Sequence, residues 1–140
     1  MPSPLSCGLV WFRRDLRAHD HPALLHALRE CAQVHCVFVF DEDILARLPR
    51  ADRRVRFIRE SLCDLDQALR ALSHDAHAGL IVLHACARAA VPELAQRLDV
   101  QAVYAGRADE PAALERDAHV RTALAQQGRE LRLFKDHTVF

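Results

Sequence analysis

Along this chain, short runs of consecutive β-branched, aromatic and aliphatic residues alternate with segments whose apolar residues recur every three to four positions. The runs are Leu9–Phe12, Val34–Phe40, Leu80–Leu83, Ala102–Tyr104 and Leu131–Phe134, which predict five strands. Several are apolar at successive positions, as in Val37-Phe38-Val39-Phe40, the pattern of strands covered on both faces. The clearest helical segment carries Val55, Ile58, Leu62, Leu65, Leu69 and Leu72, with Asp52 placed to cap it. Others run from about Asp20 to Glu30, Ala89 to Leu98 and Pro111 to Gln127, with Pro22 and Pro111 in first-turn positions.

Strict β–α alternation with right-handed crossovers implies an α/β fold. The expectation is a Rossmann-like, doubly wound, five-stranded parallel sheet of order 3-2-1-4-5 with helices on both faces. Ligands of such sheets sit beyond the carboxyl ends of the strands at the switch point, here between strands 1 and 4. That directs attention to Arg13–Asp20 and Ala105–Pro111.

The chain has 140 residues, against a prior of about one domain per 150, so residues 1–140 read as a single domain. The longest stretches without Asp, Glu, Lys or Arg, Met1–Phe12 and Ala76–Ala87, are 12 residues each, short of the roughly 18 needed to cross a bilayer. Neither a membrane span nor a secretory signal is expected. Five cysteines (Cys7, Cys31, Cys36, Cys63, Cys86) without a CxxC pair argue against a disulfide framework or zinc knuckle. They read as small buried hydrophobes in a reducing cytoplasm. Nineteen basic and nineteen acidic residues cancel, so any nucleic-acid binding would have to be local.

The loop Arg13-Arg14-Asp15-Leu16-Arg17 lacks the glycines that let backbone amides close on a pyrophosphate. Asp15 pairing with an arginine to fix the turn, or arginines docking a neighbouring domain, is the favoured reading. Arg47, Arg50, Arg53, Arg54, Arg56 and Arg59 crowd into 13 residues. Successive helical residues point in different directions, so a solvated helix face is favoured over a phosphate patch. Glu110-Pro111 opens a helix, where the carboxylate serves either as a local cap or as a ligand contact. Nine histidines include His19-x-His21 and His74-x-x-His77, but neither pair has a third ligand nearby, and no metal site is expected. No catalytic nucleophile signature is present.

The segment Leu9-Val10-Trp11-Phe12-Arg13-Arg14-Asp15-Leu16-Arg17, followed by His19-Asp20 and Pro22-Ala23-Leu24, closely resembles the opening of the DNA photolyase and cryptochrome family. Further segments agree in order: Arg54-x-Arg56-Phe57-x-x-Glu60-Ser61-Leu62-x-Asp64-Leu65, then Val103-Tyr104-Ala105-x-Arg107-x-x-Glu110-Pro111, then Arg116-Asp117, and Phe134-x-Asp136-His137-x-x-Phe140. The resemblance spans nearly the whole chain and is to the family's N-terminal antenna-chromophore domain, most like that of a bacterial deoxyribodipyrimidine photolyase.

The resemblance implies a parent lyase that repairs cyclobutane pyrimidine dimers by light-driven electron transfer from reduced flavin. Its larger C-terminal helical domain would bind flavin adenine dinucleotide (FAD) and accept the lesion flipped from DNA. That domain is not in these residues, so no catalytic residue is expected and the chain alone should repair nothing. Its partners would be that helical domain and, through it, damaged DNA, with weak self-association near Arg13–Arg17. The antenna would be a folate (methenyltetrahydrofolate) or a deazaflavin. By the same resemblance Glu110 hydrogen-bonds the antenna ring, Arg54 lines its pocket, and Phe40 and Asp41 form another wall. His21 stands where the family usually has Asn, a change read as structural. Gly106, Ala108, Asp109 and Ala112 replace common Asn, Asp and Tyr residues, which predicts a weak or empty antenna site in the chain by itself. A cryptochrome-type photoreceptor would share this domain. A free-standing nucleotide-binding module would need a glycine-rich loop, and Gly8, Gly79, Gly106 and Gly128 are too scattered to make one.

Overall fold

The computed structural model describes residues 5–13, 21–41, 53–73, 80–107 and 111–135, with side chains for all of these but 5, 41, 53–59, 72 and 73. Nine elements follow one another: β1 (Leu5–Phe12), α1 (Pro22–Glu30), β2 (Cys31–Asp41), α2 (Arg53–Ser73), β3 (Leu80–Ala85), α3 (Ala87–Leu98), β4 (Ala102–Gly106), α4 (Pro111–Gln126) and β5 (Glu130–Phe134). The strands form one parallel sheet of order β3-β2-β1-β4-β5, the doubly wound order expected.

The continuous apolar runs supply both faces of the central strands. Val10, Phe12, Phe38, Phe40 and Tyr104 point to one face, against Ala23, Leu24 and Ala27 of α1 and Leu62, Leu65 and Leu69 of α2. Leu9, Trp11, Val37, Val39 and Val103 point to the other, against Val91 and Ala95 of α3 and Val120 and Leu124 of α4. Strand period 2 meets helix period 3.6 on each side, which puts a core on both faces of the sheet.

β1 starts at Leu5, four residues before its apolar run, because Leu5 and Cys7 stand in register with Cys31 and Gln33. Cys7 already belongs to the core on one face of the sheet. α1 begins on His21, whose Nδ1 accepts the Leu24 amide at 3.1 Å, with Pro22 in the first turn. The His21 ring also packs on Phe12 at 4.8 Å, so this residue has the structural role expected of it. Cys7, Cys31 and Cys36 are buried as anticipated, whereas Cys63 lies on the solvent side of α2 and Cys86 is half-buried. No helix among the described residues is long and apolar enough to cross a membrane.

Candidate functional site

β1 and β4 lie side by side, yet the chain leaves β1 toward α1 on one face and leaves β4 toward α4 on the other. Their carboxyl ends therefore diverge, and the sheet opens a crevice there. The ladder between them ends at Trp11 and Ala105. Immediately beyond it, Arg13 Nη1 donates to Asp117 Oδ1 at 2.5 Å, and Arg13 Nη2 donates to the carbonyl oxygen of Gly106.

Both members of this ion pair are nearly sealed from solvent, with 11% and 5% of their side-chain surfaces exposed. A charge taken out of water is tolerated only with a partner and good hydrogen-bond geometry, and here each charge supplies the other's compensation. The guanidinium carbon of Arg13 sits 4.8 Å from the Trp11 ring, and that of Arg116 sits 5.0 Å from the same ring. Arg116 Nε also approaches Asp117 Oδ1 at 3.5 Å. Two cations, one carboxylate and one indole thus occupy the floor of the switch point. The second carboxylate oxygen, Asp117 Oδ2, is buried and finds no hydrogen-bond partner among the described residues.

Asp117 was legible in the sequence only as part of a resembling segment. Nothing in its helix marks it as the partner of a residue 104 positions earlier. Asp15, expected to pair with an arginine, lies outside the described residues, as do Arg14 and Arg17. Arg13 itself is turned inward onto Asp117 and Gly106.

At the same end of the sheet, Phe40 is the last residue but one of β2. Its ring meets Phe38 edge-on at 4.9 Å and is stacked by His84 of β3 at 4.6 Å with planes 10° apart. Asp41 is the last residue of β2, in register with Ala85. Arg54 lies in the first turn of α2, and because α2 returns from the end of β2 to the start of β3, that turn sits at the carboxyl end of the sheet. Their side chains, and Glu110 entirely, lie outside the described residues. The structure therefore brings Phe40, Asp41 and the backbone of Arg54 to one end of the sheet, and adds His84, which the sequence did not single out.

Other polar groups sit elsewhere. Arg132 of β5 pairs with Glu30 and Glu130 and donates to the Tyr104 hydroxyl at 3.3 Å. Burial pushes the Tyr104 phenol up from its ordinary value, so it stays protonated. A shallow depression of about 420 Å³ along the outer side of α4 is lined by exposed Glu115, His119 and Thr122. No group of three metal-ligating side chains occurs among the described residues.

Residues 8–140 match the DNA photolyase family. The chain is 44% identical over 116 residues to a deoxyribodipyrimidine photo-lyase of Thermus thermophilus, covering 83% of this chain and 26% of that protein. It is 34% identical over 130 residues to cryptochrome-2 of Gallus gallus, covering 93% of this chain and 22% of that protein. In fold it is similar to an archaeal photolyase from Sulfolobus tokodaii solved with two FAD molecules, with a TM-score of 0.82 and 30% identity over 94% of this chain and 30% of that one. The chain thus spans about a quarter of the length of these relatives.

Proposed function

The chain belongs to the DNA photolyase family, and we propose that it serves as the N-terminal antenna-chromophore domain of a DNA photolyase. In this reading it holds a planar light-absorbing ring, a folate or a deazaflavin. The excitation passes to FAD in a C-terminal helical domain, which repairs cyclobutane pyrimidine dimers by electron transfer. Damaged DNA then meets the protein through that second domain.

The observation that carries the reading is the placement of His84, stacked on buried Phe40, together with Asp41 and the first turn of α2 with Arg54 at the carboxyl end of the sheet. Stacked near-parallel rings suit a planar heterocycle, and a carboxylate suits its amino and ring N–H donors. The Sulfolobus photolyase, solved with two FAD molecules that carry the implication of a novel light-harvesting cofactor, adds a flavin to the ring systems worth testing. The 44% identity to the Thermus enzyme supports the photolyase reading, and the 34% identity to cryptochrome-2 fits the alternative, a cryptochrome-type photoreceptor that shares this domain.

Gly106, Ala108, Asp109 and Ala112 offer the ring less polar and aromatic surface than the residues usual in the family, so binding to this chain alone is expected to be weak. The test is an absorbance and fluorescence titration with methenyltetrahydrofolate, a deazaflavin and FAD, comparing the chain with Glu110→Ala. Saturable binding lost in the variant supports the reading, and no binding of any of the three overturns it for this chain.

A further inference from the structure

The β1–β4 ladder stops at Trp11 and Ala105, while β4 pairs with β5 for one residue more, to Gly106 and Phe134. At Gly106 the ladder to β1 has already ended, although Phe12 still pairs with Phe38 of β2. The Gly106 carbonyl is met instead by a side chain, the Nη2 of Arg13. The guanidinium therefore acts as one further rung, made of longer atoms, across the point where the two strands separate. Its other nitrogen reaches Asp117 on α4. One planar group thus joins the end of β1, the end of β4 and the helix that follows β4. A planar, five-donor group can make two such directed bonds at once, which a flexible ammonium cannot.

Three features make this join stiff. The pair is almost fully buried, so opening it would strand a charge in a medium that penalises it. Trp11 packs against the Arg13 guanidinium at 4.8 Å and limits its swing. On the far side of β4, the Arg107 amide donates to the Phe134 carbonyl at 2.8 Å, which ties the residue after Gly106 to β5. Gly106 and α4 are the two chain anchors between which Glu110 lies in sequence.

We infer that Arg13 and Asp117 are positioning residues of the switch-point crevice: they set the spacing of β1 and β4 at its floor, and through it the affinity for the planar chromophore, without contacting that chromophore. The inference rests on the proposed antenna function for its ligand, but the spacing itself can be read without any ligand.

The experiment compares the chain with Asp117→Asn, which keeps shape and removes charge, and with Leu69→Ala, a buried cavity variant on the opposite face of the sheet. Amide hydrogen exchange at Gly106 and Arg107 is measured relative to Val10 and Val37, together with the dissociation constant for whichever of the three chromophores the parent chain binds. Asp117→Asn is expected to speed exchange at Gly106 and Arg107 selectively and to weaken the chromophore about tenfold, the scale of one charge-assisted hydrogen bond. Leu69→Ala should lower the melting temperature without that local signature. If Gly106 and Arg107 respond alike in the two variants, the inference is overturned. Should Asp117→Asn not fold, Arg13→Lys decides: partial protection at Gly106 and Arg107 supports the clamp, and wild-type protection refutes it. If the parent chain binds none of the chromophores, the antenna function fails while the exchange result still judges the clamp.

Discussion

Asp66 on α2 accepts a 2.8 Å hydrogen bond at Oδ1 from the backbone amide of Leu80, the first residue of edge strand β3, while its Oδ2 takes the Nε–H of Arg70 at 3.1 Å. The Leu80 amide, the largest influence, holds this carboxyl below its ordinary value of 3.8 against the opposing effect of burial, with further help from Arg70. A carboxyl with a depressed folded value adds stability above its unfolded value and gives it up as pH falls through the folded one. Asp66 should therefore help hold β3 at neutral pH and lose that effect as pH falls from its ordinary value through the lower folded one. In urea unfolding, the gap between the chain and Asp66→Asn should be present near pH 7 and narrow toward about pH 3. A gap that does not change with pH would show that the Leu80 bond does not depend on the carboxylate's charge.

A Cβ built on Gly8 would stand 2.6 Å from Cys31 Sγ and 3.2 Å from Tyr104 Cε1, so the glycine is needed for the close approach of β1, β2 and β4. Gly8→Ala should cost about 1–3 kcal/mol by overpacking. Cys31→Ala in that background removes the nearer obstacle, and the double variant should be more stable than the two single losses predict. Strict additivity in denaturant unfolding would count against the steric account.

His21 caps α1 through Nδ1 and packs on Phe12. His21→Ala should cost about 1–2 kcal/mol, as loss of a side-chain cap does. His21→Asn keeps an acceptor for the Leu24 amide and should recover much of that loss in thermal melts. Equal melting temperatures for the two variants would assign the stabilisation to ring packing and not to the cap.

Burial alone pushes the Cys36 thiol up to about 12, and Cys7 and Cys31 are raised for the same leading reason. Only thiolate reacts readily with alkylating or disulfide reagents. Native protein at neutral pH should therefore show a fast-reacting thiol at exposed Cys63, removed by Cys63→Ser, with Cys36 modified only on unfolding. Mass-spectrometric labelling of Cys36 in the folded chain would contradict this.

Much of the architecture is written in local patterns. Val37-Phe38-Val39-Phe40 marks a strand covered on both faces, and Leu62, Leu65 and Leu69 mark the buried stripe of α2. Leu5–Gly8 was not read as part of β1, since Leu5 and Cys7 alone are too short an apolar signal to mark a strand and the stretch is held by backbone pairing with the start of β2. At the candidate site, Phe40 was legible as the end of an apolar run, which places it at the carboxyl end of the sheet. His84 was not, because its significance is a register: it stands beside Phe40 only once β3 has paired with β2.

The sequence by itself determined the layers of this protein, the strand order and the end of the sheet where a ligand would sit, because hydrophobic periods of 2 and 3.6 and right-handed crossovers act over a few residues or one connection. Only the tertiary structure decided what closes the floor of that end. Arg13 finds its two partners 93 and 104 residues downstream, and whether charges so far apart in the chain meet, and at what depth from water, is settled by packing the whole sheet against its helices.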